Sequence, residues 1–354
     1  MTPGGPVPAV SRALELLARG QDLGRESASE VLELIMEGQV GDIQAAAFLM
    51  GLRTKGETAE EIVGLAATMR RLAEKVETQV AGPLVDVVGT GGDRLGTFNI
   101  STTAAFVVAG AGVFVAKHGN RGTTSRSGSA DLLEALGVRI DLPPAAVARC
   151  VEEAGIGFMF APLHHKAMRY LVPVRRELGI RTVFNFLGPL TNPAGARRQL
   201  TGVSAPEYVE VLARALALMG CERALVVHGR EGMDELSVVG PTTVVEVDEG
   251  KAGAPFTIEP EMFGLRRWPL ADLAGGDPQE NAAIALRVLE GEEGAPLDVV
   301  LLNAGAALYV AAEAGSVQEG VQLARHSIES GRAREKVEEL VRLSRLAAEE
   351  RRDD

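Results

Sequence analysis

Val85-Asp86-Val87-Val88-Gly89-Thr90-Gly91-Gly92-Asp93 is the stretch on which the fold of this chain turns. A short apolar run ending in clustered glycines reads as a buried strand that delivers a tight turn. Glycine tolerates positive φ and lets backbone N–H groups approach an anion closely. The turn is not a Walker sequence, because no Lys-Ser/Thr ending follows, and it lacks the G-x-G-x-x-G spacing of a dinucleotide fingerprint. Taken alone it is no more than a turn. Its neighbours add chemistry.

Asn99-Ile100-Ser101-Thr102 stands before an apolar stretch at 104–108 and reads as a helix start, which is itself a ready anion site. A second apolar run, 113–116, leads into Lys117-His118-Gly119-Asn120-Arg121 and on through Gly122-Thr123-Thr124-Ser125-Arg126-Ser127-Gly128-Ser129. That loop is almost all hydrogen-bond donors, and its cations suit charge-assisted bonds to phosphate. It is the strongest local signal in the chain.

The same grammar recurs. Residues 224–227 lead into His228-Gly229, and residues 299–302 into Asn303-Ala304-Gly305, with helical segments at 129–136, 206–219 and 281–289 between such runs. Buried parallel strands with crossover helices are expected, hence an α/β fold whose mostly parallel central sheet is flanked by helices. Ligands of such sheets bind beyond the carboxyl ends of the strands, where these loops fall. Residues 242–247 and 256–258 read as an edge hairpin.

Residues 1–82 differ, carrying a helical period with short connections, and predict a small all-α domain. Ser27-Ala28-Ser29-Glu30 and Thr58-Ala59-Glu60-Glu61 have the capping-box pattern, and Asp42 is a candidate cap. The stretch 172–198 holds Pro173, Pro189 and Pro193 around Gly188-Pro189-Leu190-Thr191-Asn192-Pro193 and reads as a rigid hinge returning to the bundle. Residues 83–171 and 199–354 then form the α/β domain.

Bulk properties limit the function. A net charge of −12 disfavours general binding to nucleic acid or an anionic membrane, so anionic ligands need local cations. Lys117, His118, Arg121 and Arg126 supply one group; Arg169, Arg175, Arg176 and Arg181 form a second that charge pattern alone assigns to a solvated face. Hydrophobic residues at 46% support a large core, and aromatics at 4% disfavour a β-sandwich. Cys150 and Cys221 lack metal-ligand spacing and read as free thiols. No signal peptide or membrane-spanning run is visible, and a cytoplasmic location is expected. Asp234-Glu235 would ordinarily be solvated surface; only the phosphate loops upstream make a Mg²⁺ pair attractive. His164-His165 lacks a third ligand nearby, and covalent catalysis has no motif here.

These motifs, in order and spacing over most of the chain, resemble the anthranilate phosphoribosyltransferase family, a class related to pyrimidine nucleoside phosphorylases. Asp86-Val87-Val88 with the 89–93 turn, Thr97-Phe98-Asn99-Ile100-Ser101-Thr102, the 117–121 run with Ser127-Gly128-Ser129, Phe160-Ala161-Pro162, Val174-Arg175-Arg176-Glu177, Phe184-Asn185 and Asp234-Glu235-Leu236-Ser237 carry the likeness. The resemblance implies transfer of the phosphoribosyl group from 5-phosphoribosyl 1-pyrophosphate to anthranilate in tryptophan biosynthesis. It implies a donor pocket of Gly89, Gly92, Asp93, Thr97, Asn99, Ile100, Ser101, Thr102, Lys117, His118, Gly119, Asn120, Arg121, Gly122, Thr123, Thr124, Ser125 and Ser129. Anthranilate would meet Gly89, Asn120, Arg175, His118 and Pro189. Two Mg²⁺ ions would be held by Ser101, Asp234 and Glu235, with Lys117 and Arg121 stabilising the transition state. A homodimer through the N-terminal helices is implied as well. The 122–126 stretch is less serine-rich than the family's usual form. The competing readings are a pyrimidine nucleoside phosphorylase, against which the 117–121 loop and the Asp234-Glu235 pair speak, and a non-catalytic nucleic-acid-binding relative.

Overall fold

The computed structural model describes residues 7–122 and 125–353, with side chains described up to 350. It begins with four helices, α1 (Pro8–Ala18), α2 (Gly24–Met36), α3 (Asp42–Lys55) and α4 (Ala59–Leu72). Thr58 and Glu61 form the expected capping box at α4. The pattern at Ser27 does not: it lies inside α2, whose leading Leu23 N–H is taken by Glu61 Oε1 at 3.0 Å. Glu61 is fully buried, and its cost is offset by Lys55 Nζ at 3.0 Å. One carboxylate thus serves the starts of two helices, which a local pattern cannot reveal. Asp42 is the first residue of α3 and makes no side-chain cap.

The chain then alternates. In order come β1 (Leu84–Gly89), α5 (Ile100–Gly110), β2 (Phe114–Gly119), α6 (Ser129–Ala135), α7 (Pro144–Ala154), β3 (Ile156–Phe160), α8 (Ala161–His164), α9 (Val172–Leu178), α10 (Phe184–Leu187), β4 (Arg198–Gly202), α11 (Val209–Leu218) and β5 (Arg223–Gly229). Three further strands, β6 (Thr242–Asp248), β7 (Lys251–Ala252) and β8 (Phe256–Ile258), precede α12 (Pro278–Leu289), α13 (Ala295–Ala311), α14 (Val317–Glu329) and α15 (Arg332–Asp353). The sheet order is β3-β2-β1-β4-β5-β6-β7, with β8 paired to β6. β3 through β5 run parallel, while β6 joins β5 antiparallel and closes the edge with β7 and β8.

Three strands, β3, β4 and the two-residue β7, escape the sequence reading, and one strand expected from it is absent. Residues 299–302 lie in α13, almost every residue of which is buried. A helix enclosed on all sides is apolar all round, so its sequence imitates a buried strand. α5 is enclosed in the same way.

Strand order reverses at β1, whose neighbours are β2 and β4, and such a switch point opens a crevice at the strand ends. Gly89 of β1 stands directly beside Gly202 of β4 there. On one sheet face, Val85, Val87, Val115, Leu225 and Val227 share an apolar cluster with α5 and α13. On the other, Val226, Val245 and Val247 pack with α11. That second cluster continues unbroken through Leu171, Val174, Val183, Phe184, Phe186, Leu187 and Leu190 into the four N-terminal helices. Cys150 and Cys221 are buried and unpaired. No described helix is long and apolar enough to cross a membrane.

Candidate functional site

A cavity of about 860 Å³ opens beyond the carboxyl ends of β1 and β2, between them and the 161–191 stretch. Every described residue expected from the sequence at either substrate or at the metal borders it. Thr123 and Thr124 lie outside the described residues.

The glycine turn forms the floor. Thr90 N–H donates to Gly202 O at 2.9 Å, which ties the loop to β4. Gly91 and Gly92 have φ values of 67° and 80°, a region that a Cβ makes costly. Gly89 and Gly202 are glycine because Asp234 lies over both: an added Cβ would stand 2.4 Å from Asp234 Oδ2 at Gly89 and 1.6 Å from Asp234 O at Gly202.

Asn99 takes the N-cap position of α5 but does not cap it. Its Oδ1 accepts from Ser127 Oγ at 3.1 Å and from Asn281 Nδ2 at 2.9 Å, while its Nδ2 donates to Ser127 O at 3.2 Å. The side chain therefore splices the helix start to the 125–129 loop. Asn281, buried on α12, carries no sequence signal that connects it to residues so far upstream.

Lys117 is buried, with Nζ donating to Val87 O at 2.6 Å. Burial lowers its pKa, against the opposing pull of Asp86 and Glu235. His118 Nδ1 lies 3.1 Å from Gly188 O, so that nitrogen carries the proton and donates; its Nε2 has no partner within the protein. Burial, and then the neighbouring His165, push the His118 pKa down to about 3, so the ring is neutral at physiological pH. His164 is structural: its Nδ1 lies 2.9 Å from Glu74 O, and its own carbonyl accepts from Glu74 N–H at 2.9 Å.

Arg121 departs from expectation. Its guanidinium is engaged by Asp131 at 2.9 Å and Glu134 at 3.0 Å. Two carboxylates neutralise that charge, so the side chain is not the free cation for a leaving group that the sequence suggested. Asp131 also accepts from the N–H groups of Gly122 at 2.9 Å and Gly128 at 2.8 Å, bracing the loop from beneath. Arg175, by contrast, stands 5.4 Å over the Phe184 ring, and burial alone lowers its pKa. Sequence pattern put it on a solvated face; the structure turns it into the cavity. Arg181, placed on the same face by pattern, also borders the cavity and donates to Gly91 O at 3.0 Å and Gly92 O at 3.3 Å.

Asp234 and Glu235 are each 9% exposed and form no ion pair among the described residues. Asp234 Oδ2 accepts from Gly91 N–H at 2.6 Å, and Glu235 Oε1 from Ser101 N–H at 3.1 Å. Burial, then the charge of Asp93, raise the Asp234 pKa to about 7; burial, then Asp234, raise that of Glu235 to about 8. Asp93 is pushed up by burial too. Three carboxyls crowd one wall with too little positive charge around them. From the far side, Asn303 clamps the next peptide, accepting from Leu236 N–H at 3.0 Å and donating to Leu236 O at 2.9 Å.

Comparison with known proteins fits this geometry. Residues 81–334 match the model of a glycosyl transferase family a/b domain, and residues 11–73 that of the same family's helical bundle domain. The anthranilate phosphoribosyltransferase of Rubrobacter xylanophilus is 57% identical over 337 residues, covering 95% of this chain and 98% of the relative. That of Thermomicrobium roseum is 55% identical over 342 residues, covering 96% and 98%. The chain belongs to the anthranilate phosphoribosyltransferase family.

Solved structures agree. The crystal structure of the Thermus thermophilus anthranilate phosphoribosyltransferase is similar with a TM-score of 0.89 at 49% identity, covering 96% of this chain and all of that one. The Saccharomyces cerevisiae enzyme in complex with PRPP and Mg gives a TM-score of 0.86 at 31% identity, covering 95% and 97%. Membership of this family makes the chain a glycosyltransferase of tryptophan biosynthesis.

Proposed function

We propose that this chain transfers the 5-phosphoribosyl group of phosphoribosyl pyrophosphate to the amine of anthranilate, giving N-(5-phosphoribosyl)anthranilate and pyrophosphate. One observation carries the reading. A glycine loop, the start of α5, a buried acidic wall and Arg175, which has no ion-pair partner among the described residues, all line a single cavity. The first set suits a diphosphate with its counter-ion, and the arginine suits a carboxylate.

Gly89, Gly92, Asp93, Thr97, Asn99, Ile100, Ser101, Thr102, the 117–122 segment, Ser125 and Ser129 take the donor. Anthranilate lies against Gly89, His118, Asn120 and Pro189, with its carboxylate on Arg175. The amine nitrogen attacks the anomeric carbon as the carbon–oxygen bond to pyrophosphate breaks; pyrophosphate leaves with the electron pair, and the resulting ammonium gives its extra proton to water. An aromatic amine needs no prior deprotonation, so positioning and stabilisation of the leaving group govern the rate. Lys117 is the buried cation for that charge, in place of Arg121. The neutral His118 ring presents Nε2 as a hydrogen-bond acceptor for the amine.

Asp234 and Glu235 fit Mg²⁺. They are hard oxygen donors, nearly buried and without an ion-pair partner among the described residues, and Mg²⁺ combines carboxylates, waters and substrate phosphates. When bound, the metal neutralises charge on the leaving pyrophosphate. We assign two ions, with Ser101 reaching the one not held by the Asp234–Glu235 pair.

A division into a helical domain at 1–82, joined by 172–198, and an α/β domain at 83–171 and 199–354 is supported by the packing of Leu171, Phe186 and Leu190 among the N-terminal helices. A homodimer through that bundle is supported by Ile43, 87% exposed on α3. A monomer in sedimentation equilibrium at micromolar concentration overturns the dimer. The reaction is tested by following anthranilate fluorescence with and without phosphoribosyl pyrophosphate and Mg²⁺. Loss of signal only when both are present supports it; no loss refutes it.

A further inference from the structure

The carbonyls of Gly91 and Gly92 both point at one guanidinium. Arg181 Nη2 donates to Gly91 O at 3.0 Å, beside Ser204 Oγ, which donates to the same oxygen at 2.9 Å, and Arg181 Nη1 is the one side-chain donor to Gly92 O among the described residues, at 3.3 Å. A trans peptide directs its N–H away from its C=O. Drawing these two oxygens onto Arg181 therefore turns the N–H groups of Gly92 and Asp93 the opposite way. Neither N–H has a hydrogen-bond partner among the described residues, in a loop where Gly91 N–H, Thr90 N–H and Leu95 N–H all do. Two adjacent peptide donors are thus left unspent in a loop that lines the cavity.

Arg181 is itself held from behind. Its guanidinium lies 5.3 Å from the centre of the Phe186 ring, and Phe186 stacks on Tyr208 with ring centres 3.9 Å apart. The Tyr208 hydroxyl donates to the buried carboxylate of Glu57 and accepts from Arg53 Nη1 at 2.7 Å. The fit against the loop is close: a Cβ on Gly92 would stand 3.0 Å from Arg181 Cζ. Only a planar fork in this place reaches both carbonyls at once.

We infer that Arg181 is a positioning residue for the donor substrate: by holding the Gly91 and Gly92 carbonyls it presents the N–H groups of Gly92 and Asp93 to a diphosphate oxygen. This rests on the reading that the glycine loop takes phosphoribosyl pyrophosphate. It adds a link that reading lacks. Arg175 and Arg181 lie on one short stretch, so the segment that supplies the acceptor's cation also sets the shape of the donor's loop.

The test is calorimetric titration of phosphoribosyl pyrophosphate with Mg²⁺ into the wild-type protein and the Arg181→Ala, Arg181→Gln and Arg181→Lys variants, beside steady-state kinetics and melting curves. Arg181→Ala and Arg181→Gln should each weaken donor binding by about tenfold or more, the loss of at least one charge-assisted anchor for the loop. The anthranilate KM should stay within about twofold, and the melting temperature should hold. Arg181→Lys, which keeps the charge but not the fork, should recover little. Wild-type donor affinity in Arg181→Ala and Arg181→Gln overturns the inference. So does full recovery by lysine, which would make charge alone sufficient, and so does equal weakening of both substrates with a lowered melting temperature. A wild-type protein that gives no heat with phosphoribosyl pyrophosphate and Mg²⁺ refutes instead the donor-site reading beneath it.

Discussion

Arg175→Ala is the sharpest probe of the acceptor side of the cavity. The guanidinium stands 5.4 Å over Phe184, burial lowers its pKa, and no carboxylate among the described residues pairs with it. A planar guanidinium meets a carboxylate through two parallel charge-assisted bonds. Each hydrogen bond to a charged group contributes about 1.5–3 kcal/mol. Because Arg175 is only partly buried, a discounted sum of about 3 kcal/mol is appropriate. At about 1.4 kcal/mol per factor of ten, that is roughly a hundredfold in kcat/KM for anthranilate. The carboxylate is remote from the breaking bond, so the loss should fall on KM while kcat stays near its wild-type value. Aniline, which has the amine and lacks the carboxylate, supplies the decisive control. It should be poor with the wild-type enzyme by a similar factor and indifferent to the substitution. Arg175→Lys should recover only part of the loss, since an ammonium cannot reproduce the fork. Steady-state kinetics with both amines at saturating donor measure all of this. If aniline loses as much as anthranilate, or the defect moves to the KM of phosphoribosyl pyrophosphate, Arg175 does not hold the carboxylate.

Three further predictions concern the acidic wall. Asp234→Asn combined with Glu235→Gln should lower Mg²⁺-dependent turnover by orders of magnitude while the protein stays folded; an unchanged Mg²⁺ dependence removes the metal assignment. Without metal, both carboxyls have folded-state pKa values, about 7 and about 8, above those of the unfolded chain. The folded protein then binds more protons than the unfolded chain between roughly pH 4 and 8, so metal-free stability declines as pH rises through that window. Melting temperature against pH should be flatter in the double variant, and superimposable profiles contradict the assigned shifts. Asn303→Leu strands the buried N–H and C=O of Leu236, at about 1–3 kcal/mol each. Urea denaturation should show a loss of about 2–6 kcal/mol, accompanied by a weaker response to Mg²⁺; a loss below about 1 kcal/mol would show the clamp to be dispensable.

What the sequence reveals depends on how local the physics is. The turns at 89–93 and 117–122 are legible because glycine and clustered donors after a strand mean something within a dozen residues. Thr58 and Glu61 cap α4 for the same reason. Whatever is set by distant neighbours is hidden. α13 reads as a strand because only its enclosure by α5, α14 and the sheet explains a helix without a polar face. β4 begins with Arg-Gln and ends with Thr-Gly, a weak apolar signal, yet it lies at the centre of the sheet and forms half of the switch point. Arg121 shows the converse failure. Its neighbours in sequence suggest a free cation, and Asp131 and Glu134, one and two helical turns into the next element, take that charge away.

The unbroken apolar cluster shared by the N-terminal helices, the 171–190 stretch and the outer face of β5 and β6 has a consequence for dissecting the protein. α11 is packed on the sheet and on α4 together, so it belongs to both bodies. Cutting the chain in the loop after residue 80 would not release two soluble modules. The larger fragment would carry a bare hydrophobic flank over α11 and α10, and should aggregate unless the smaller one is supplied in trans. The two regions matched by separate family models should therefore unfold together in a single transition rather than in two.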